Sequence, residues 1–364
     1  MLGDGGSRYG RVQKKFNLVA KFFVGTFIFR QYLVYTWNTF NLEQVGMQES
    51  ARDIIKHYKP DFPLKHCGRI YRKTTEFMDI NYGDVICLGN SHYLVLRNES
   101  ECRFGLEDPK YWVKRCQELE TKERKILKLK FHENFIMNIG KLKIHCFRSP
   151  EKEARILSLV RNDFRFMQGQ PILDNAGNVV RVLDIVRGKQ IDTMVENIEA
   201  GHFTYFHEHF PNILERFISA CEGIKYLHAH GEKHGDIRRD HLFVDTFTGC
   251  YRWIDFDYTF EFNENPFGLD IFGLGNILLF LVGKMEHNSA YLREVGFSEE
   301  IISTITPGDY SLMFPNRIVN LKKIYPYIPT ELNRILCHFS AASEVFYESV
   351  EELLMDLVPC KNII

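Results

Sequence analysis

The stretch HGDIRRDHLFVD at residues 234–245, followed by RWIDFD at 252–257, decides the fold of this protein. A segment with apolar residues at helical spacing ends at Gly231 just before it, and a short apolar hairpin joins the two acidic motifs. An aspartate in a loop is most often a turn or capping residue, so either motif alone carries little weight. The two together, in this order and after a helix, indicate one site built around Asp236 and Asp255.

This pair of motifs resembles the catalytic loop and the metal-binding motif of the protein-kinase superfamily, and the resemblance extends over roughly residues 85–358. It implies phosphoryl transfer from ATP to an alcohol, in which Asp236 orients the acceptor hydroxyl or takes its proton. It also implies that Asp255 holds Mg²⁺, since hard cations take oxygen ligands. Arg238 would lie near the γ-phosphate.

One position departs from the family pattern, because His241 stands where the resemblance implies an asparagine that binds a second metal ion. Imidazole nitrogen is a softer ligand than oxygen and a poorer match to Mg²⁺. Three alternatives follow: His241 contributes weakly, Asp257 replaces it as an oxygen ligand, or metal binding is impaired. Small-molecule kinases of the superfamily often carry a carboxylate near the position of Asp257, which favours the second alternative. Mn²⁺ is an alternative to Mg²⁺.

The resemblance also implies a lysine for the α- and β-phosphates and a glutamate that holds it. Within ERKILKLKF, Lys128 alternates with two leucines, and PEKEARIL resembles the helix that follows and supplies Glu153. Lys114 in YWVKRC is the alternative lysine, and Lys128 is preferred because of this alternation. Lys128 and Glu153 together are expected to bind and position the nucleotide.

The phosphate-binding loop is expected at Asn98–Gly105, where the family typically has three glycines that let the backbone approach the phosphates. Gly105 is the only glycine there, which argues against tight ATP binding. The connection Asp184–Gly188 is expected to be the hinge between two lobes, with Asp184 and Val186 beside the nucleotide.

Two structural contacts are also implied by the resemblance. His234 and Phe256 match the positions where kinases stack a buried apolar spine. Asp270, inside the apolar segment LDIFGLGNILLFLVG, would be a buried carboxylate that anchors the loop around Asp236, because a buried carboxylate needs donors and loop amides supply them.

The predicted fold is α+β with two lobes. Short runs rich in β-branched and aromatic residues predict a small antiparallel sheet with one helix, and the later segments have helical periodicity. The predicted divisions are an apolar and basic N-terminal extension (1–46), an accessory segment (47–84), an N-lobe (85–186) and a C-lobe (187–364).

The segment from Asp255 to Asp270 is short and lacks an Ala-Pro-Glu-like motif, and Gly235 replaces the arginine that reads a phosphorylated activation loop. These features resemble aminoglycoside, choline and lipopolysaccharide kinases, whereas the overall layout resembles bacterial serine/threonine-kinase-like proteins. The favoured function is a serine/threonine protein kinase that uses ATP and Mg²⁺. A kinase of a sugar or lipid headgroup and a pseudokinase binding module are the alternatives.

Composition excludes other classes of protein. The net charge of -1 over 364 residues lacks the basic excess of a nucleic-acid-binding protein. The nine cysteines are scattered without C-x-x-C spacing, which argues against a disulfide framework or zinc site and favours the cytoplasm. The apolar N-terminal stretch is interrupted by Lys21 and Arg30, so a membrane span is not expected.

Overall fold

A computed structural model of the chain describes residues 50–103, 106–139, 142–262 and 264–364. The predicted N-terminal extension, the start of the accessory segment at 47–49, and Gly105 lie outside the described residues. The chain from Ser50 to Ile364 forms one compact unit.

The described strands and helices follow the order predicted from the sequence, with the strands concentrated before the helices. The strands are β1 (Ile70–Tyr71), β2 (Val85–Leu88), β3 (Ser91–Arg103), β4 (Leu106–Glu118), β5 (Arg124–Lys128), β6 (Asn134–Ile139), β7 (Leu142–Arg148), β8 (Gly169–Leu173), β9 (Val179–Asp184), β10 (Gly188–Gln190), β11 (Leu242–Asp245), β12 (Tyr251–Trp253) and β13 (Tyr258–Glu261). The helices are α1 (Ala51–Tyr58), α2 (Pro150–Leu159), α3 (Ile191–Glu196), α4 (Phe210–Ala229), α5 (Gly268–Gly283), α6 (Ser289–Glu294), α7 (Glu299–Ser303), α8 (Thr330–Cys337) and α9 (Val350–Leu357).

Seven of these strands form the main sheet, in the spatial order β1-β2-β3-β4-β5-β9-β8. Every neighbouring pair is antiparallel except β1 and β2. One face carries alternating apolar side chains that are fully buried, among them Ile86, Tyr93, Cys116, Leu127 and Val180. The alternation of these residues is the two-residue period that the sequence shows.

A second sheet of three strands, in the order β13-β7-β6, was not foreseen from the sequence. Strands β6 and β7 form an antiparallel hairpin that precedes α2, and β7 also pairs antiparallel with β13, which follows the RWIDFD motif. This sheet therefore ties the N-terminal half of the chain to the segment after Asp255. A third sheet, β10-β11-β12, contains the hairpin that the sequence predicts between the two acidic motifs.

Helix α2 begins where the sequence predicts it. The Ser149 side chain caps the helix by accepting a hydrogen bond from the Lys152 amide at 3.2 Å, and Pro150 lies in the first turn. Its inner face buries Ile156 and Leu157 together with the carboxylate of Glu153. The helix thereby places two charged side chains, Glu153 and Lys152, inside the protein.

The C-terminal half is mainly helical and is built around α4 and α5. Helix α5 is buried along nearly its whole length, which agrees with its continuous apolar sequence. Helix α4 packs between α5 and α9, and its Ala220 carbonyl accepts a 2.9 Å hydrogen bond from the buried Trp253 indole. That contact joins the helical half to β12, which leads into Asp255.

The accessory segment packs on the main sheet from Ser50 onward. Ser50 and Asp53 form a capping box at the start of α1, and Ile54 and Ile55 are buried against β2 and β3. The α+β architecture predicted from the sequence is confirmed. In the part of the chain that the structure describes, none of the helices has the length and apolar character needed to cross a bilayer.

Candidate active site

Lys128 lies at the end of β5 and reaches the buried face of α2. Its ammonium nitrogen is 2.9 Å from a Glu153 carboxylate oxygen, so the pair predicted from the sequence forms. Glu153 is fully buried, and its other oxygen accepts a 3.0 Å hydrogen bond from the Arg181 guanidinium on β9. Two cations therefore hold one buried carboxylate, and a buried charge requires such partners.

Lys114, the alternative lysine, lies elsewhere in the same sheet. Its ammonium group donates to the Ile80 carbonyl at 2.6 Å and to the Asn98 side chain at 2.8 Å. Burial lowers the pKa of Lys114 to about 8. Of the two lysines, Lys128 is the one that contacts the acidic motif after β12.

Asp255 meets Lys128 across the space between the two halves of the chain, with 2.6 Å between carboxylate and ammonium. Burial alone would raise the pKa of Asp255, but Lys128, His241 and Arg148 outweigh it and hold that pKa well below its usual range. Asp255 has a φ of 62°, in the left-handed region that side chains rarely adopt. The contacts of its side chain hold this strained backbone in place.

The predicted spine and anchor are both confirmed. The fully buried rings of His234 and Phe256 meet edge to face, with centroids 5.7 Å apart. Burial lowers the pKa of His234 to about 3, so its ring is neutral and packs as an apolar group. Asp270 accepts the amide protons of His234 at 2.7 Å and Gly235 at 2.8 Å, and it also bonds His228 at 3.0 Å.

Asp236 follows directly after this anchored backbone. Burial raises the pKa of its carboxyl, against the opposing effect of His241 and Arg238. The Nδ1–H of His241 donates a hydrogen bond to the Asp236 carbonyl at 2.9 Å, and its other ring nitrogen lies 3.7 Å from Asp255. Arg238 is 3.8 Å from the Asp236 carboxylate, and it also contacts Asp240 and, at 3.4 Å, Glu101. The loop thus brings Asp236, Arg238 and His241 close to Asp255.

Two cavities meet beside Asp255 and His241. The first, of about 550 Å³, lies between the sheet and the helical half, and its inner part is apolar, lined by Val113, Ile126, Met167, Leu183, Val186 and Ile254. The second, of about 460 Å³, lies in front of Asp236. Asp255 and His241 line both cavities, so they stand at the junction between them.

Three features decide the architecture. The sheet carries a buried Lys–Glu pair, the loop with Asp236 is anchored by an aspartate, and Asp255 faces the lysine across a cleft. The fold is protein-kinase-like. Its cleft, spine and anchor coincide with the contacts that the resemblance in the sequence implies.

No model of a known protein family matches the chain. No curated protein matches it either. Among solved structures, the chain is similar to the PknI kinase domain of Mycobacterium tuberculosis, with 13% identity and a TM-score of 0.43 over 75% of this chain and 97% of that one. The C20A mutant of the same domain gives 13% identity and a TM-score of 0.42 over 73% and 94% of the two chains.

Asp184 and Val186 lie at the connection between the two halves of the kinase-like fold. Asp184 ends β9 with its side chain 56% exposed and 2.7 Å from Lys125. Both residues line the first cavity, together with Ile185 between them. Gly105, expected to approach the phosphates, lies outside the described residues, although the flanking strands β3 and β4 contribute Glu101 and Lys110 to that cavity.

Asp257 is engaged by a side chain that the sequence did not single out. Arg148, at the end of β7, donates to both Asp257 oxygens at 2.7 and 2.9 Å, and both residues are buried. The same guanidinium bonds Glu133 at 2.9 Å and lies 3.9 Å from the centre of the Tyr258 ring. Among the described residues, no group of three or more histidine, cysteine, aspartate or glutamate side chains has metal-binding geometry.

The segment after Asp257 is clamped between α2 and the loop that carries Asp236. Lys152 of α2 donates to the carbonyls of His234, at 2.7 Å, and Tyr258. Burial lowers the pKa of Lys152 to about 8. Gly235 has a φ of 87°, and a Cβ there would lie 1.8 Å from the Tyr258 carbonyl oxygen. Only glycine fits where β13 crosses this loop, which explains the His-Gly-Asp sequence.

Arg148, Lys152 and Arg181 are thus the site residues that sequence analysis missed. Each is a cation in a segment that contains other cations, so residue type alone does not distinguish it. Their significance comes from burial, at 6%, 3% and 1% exposure, which the sequence does not reveal.

Proposed function

We propose that this protein is an ATP- and Mg²⁺-dependent phosphotransferase that transfers the γ-phosphoryl group to an alcohol. The observation that carries the proposal is the junction of the two cavities, where Asp255 and His241 face both and Asp236 faces the second. A nucleotide in the first cavity and a hydroxyl in the second would meet there. Phosphoryl transfer depends mainly on such positioning and on charge stabilisation.

The first cavity suits a nucleotide. Its apolar inner part would take the adenine ring beside Ile185 and Val186, and the Lys128 ammonium would bind phosphate oxygens. Burial would lower the pKa of Lys128, but Asp255, Asp257 and Glu153 outweigh it and raise that pKa, so the cation persists at neutral pH. Glu153 keeps the ammonium directed at the cleft.

The metal ion would be held by Asp255, with His241 beside it. A kinase metal takes most of its ligands from phosphates and water, so one carboxylate and one further side chain are sufficient. Mg²⁺ bound there would neutralise the charge that develops on the phosphate oxygens. Asp257, expected from the sequence as an oxygen ligand, has both oxygens bonded to Arg148, which supports a positioning role instead.

Asp236 would accept a hydrogen bond from the acceptor hydroxyl and direct its lone pair at the phosphorus. Asp270 accepts hydrogen bonds from the His234 and Gly235 amides, and the anchored backbone positions the Asp236 carboxylate in the second cavity. Because burial raises its pKa, Asp236 is a better proton acceptor than an exposed aspartate. The proton of the alcohol would pass to this carboxylate as the bond to phosphorus forms.

Two classes of alcohol fit this chemistry. A serine or threonine side chain of a protein is the acceptor that the sequence favours. A small hydroxylated molecule is the second candidate, and it is supported by the β6–β7 hairpin, which contributes Phe135, Met137, Cys146 and Arg148 to one wall of the second cavity. The cysteines that the structure describes are scattered and uncrosslinked, which supports a reducing, cytoplasmic setting for either reaction.

Thermal unfolding with ATP, with and without Mg²⁺ or Mn²⁺, tests the nucleotide site in the wild-type chain and in Asp255→Ala. A ligand at 100 times its dissociation constant adds about 2.7 kcal/mol to the free energy of unfolding. We expect a metal-dependent rise in Tm of about 2 °C or more that Asp255→Ala removes. No rise with either metal would reject nucleotide binding and leave the pseudokinase alternative.

A further inference from the structure

The geometry points to a small, uncharged alcohol with an apolar body as the acceptor, bound in the cavity in front of Asp236. This inference rests on the proposed phosphoryl transfer and narrows its acceptor. We call the cavity of about 460 Å³ in front of Asp236 the acceptor pocket; its lining includes Phe135, Met137, Cys146, Arg148, Asp236 and Tyr258.

The size of the acceptor pocket fits a compact molecule. Small-molecule sites in proteins typically have volumes of about 300–1,000 Å³. The pocket has Asp236 and Gly235 on one side and the β6–β7 hairpin on the other, with Glu101 and Lys110 from β3 and β4 completing its wall. An extended chain would need an open groove across Asp236, whereas these walls come from three separate parts of the fold.

One wall of the pocket is apolar and follows the alternation of β6. Phe135 and Met137 line the pocket, whereas Ile136 between them is 60% exposed and does not. Cys146 from β7 lies beside them and is buried. The Phe135 ring meets the Tyr258 ring edge to face at 5.8 Å, so the wall ends in an aromatic corner. Such a surface favours an acceptor with an apolar body.

The charged side chains of the pocket are already paired with one another. Lys110 lies 2.8 Å from Glu101, and Arg238 contacts Asp240 and Glu101. Arg148 is bonded to Asp257 and to Glu133. Each cation that lines the pocket therefore has a carboxylate partner in the structure. An anionic acceptor would have to compete with these carboxylates for the same cations, so an uncharged acceptor is favoured.

The segment beside the pocket is also unsuited to adding a peptide as a further strand. Strand β13 pairs with β7 on one edge, and the carbonyls of Tyr258 and Phe260 accept hydrogen bonds from Lys152 and Lys233. An extended peptide that recognises a strand edge needs free backbone acceptors there. Two of those acceptors on β13 are occupied by ammonium groups, so the usual way to dock a peptide beside Asp255 is blocked.

The acceptor class is tested by labelling with [γ-³²P]ATP and the metal that shifts Tm. The full-length chain is incubated separately with casein, with itself alone, and with neutral, anionic and cationic fractions of a dialysable cell extract. We expect label in a compound of the neutral fraction and none on protein. The label should be absent with Asp236→Asn, which keeps the nucleotide-dependent rise in Tm.

The other outcomes of the labelling experiment distinguish failure of the inferred acceptor from failure of phosphoryl transfer. Asp236-dependent label on serine or threonine, or in a charged compound only, would overturn the uncharged small acceptor but leave phosphoryl transfer standing. Absence of label from every arm, with a normal Tm response to ATP and metal, would overturn phosphoryl transfer itself and the inference with it.

Variants of one strand then test where the acceptor binds. With the labelled compound as substrate, Phe135→Ala and Met137→Ala should each raise the acceptor KM about tenfold or more, because apolar contacts in a pocket are worth about 1–3 kcal/mol. The KM for ATP should not change. Ile136→Ala, on the outer face of β6, is the control and should leave both constants within about twofold. Equal effects of the three variants would overturn binding against this wall.

Discussion

At the scale of single residues, the proposed metal site combines a carboxylate with an imidazole. The His241 ring nitrogen and the Asp255 oxygen are 3.7 Å apart, close enough for one ion to contact both. Mg²⁺ prefers oxygen ligands, whereas transition metals accept imidazole nitrogen more readily. If the proposed site holds a metal ion, histidine at this position is expected to shift its preference from Mg²⁺ towards Mn²⁺.

The first prediction concerns that preference. In the wild-type chain, ATP with Mn²⁺ should raise Tm more than ATP with Mg²⁺, and His241→Asn should reduce or reverse the difference because an amide oxygen replaces the nitrogen. Thermal unfolding with both metals measures this, and His230→Asn, on an exposed histidine of the same fold, is the control. An unchanged ratio of the two shifts in His241→Asn would remove this residue from the metal site.

The second prediction separates turnover from binding at Asp236. Asp236→Asn should lower kcat by about 10²–10⁴-fold, the usual contribution of general base catalysis, while the ATP-dependent rise in Tm persists. Because burial raises the pKa of this carboxyl and its ionised form is the active one, wild-type kcat should fall as the pH decreases through that raised pKa. A pH–rate profile measures it. An acid limb at the ordinary aspartate pKa would contradict the effect of burial.

At the scale of elements, the sequence predicted the strands and helices well but not all of their partners. The apolar runs that became β6 and β7 were visible as strands, because a two-residue period is a local signal. Their pairing with β13 was not visible, since the alternation of one strand does not specify a distant partner. The role of Asp257 depended on that pairing, because its partner Arg148 lies at the end of β7.

The third prediction tests the crossing of β13 over the loop at Gly235. Gly235→Ala should lower the free energy of unfolding by about 3 kcal/mol or more, since it adds a clash with the Tyr258 carbonyl to the strain of a positive φ. Gly231→Ala is the matched control, because its φ is 74° and nothing lies within 4 Å of the added Cβ. It should cost only about 1 kcal/mol. Chemical denaturation compares the two, and equal losses would mean that β13 does not contact the loop closely.

The fourth prediction concerns the buried pair that joins β7 to the segment after Asp255. Asp257→Asn leaves the Arg148 cation buried without its main partner, so the free energy of unfolding should fall by about 3–5 kcal/mol. The surface pair Lys130–Glu151, 3.7 Å apart and partly exposed, provides the control. Glu151→Gln should cost at most about 1 kcal/mol. A loss in Asp257→Asn as small as in the control would show that the pair does not clamp the segment.

At the scale of the whole molecule, the predicted division of the chain at residue 84 gives no indication of how the segment before it packs. The sequence predicts an accessory segment at residues 47–84, in which two prolines end a short helix before the strands that follow. In the structure the described part of this segment extends the main sheet through β1 and covers it through α1. A short parallel strand and one amphipathic helix give little local signal of such docking.

Further contacts extend from this segment to the far side of the sheet. Thr74 donates to the Asp174 carboxylate through its amide at 2.5 Å and its hydroxyl at 2.8 Å, and Asp174 lies in the turn between β8 and β9. The segment therefore joins β2, at one side of the sheet, to the strands that lead into the hinge. Its packing should support the first cavity, although none of its described residues, 50–84, lines that cavity.

The fifth prediction is that this segment unfolds together with the site. Ile55 is fully buried in α1, so Ile55→Ala should lower the free energy of unfolding by about 2–5 kcal/mol. Loss of far-ultraviolet circular dichroism and loss of ATP binding should then share one transition at a reduced Tm, because residues 50–364 form one unit. Lys56→Ala, on the exposed face of the same helix, should change the free energy by no more than about 0.5 kcal/mol. Two separate transitions in Ile55→Ala, with ATP binding lost only in the later one, would show instead that the segment is an independent attachment to the kinase-like fold.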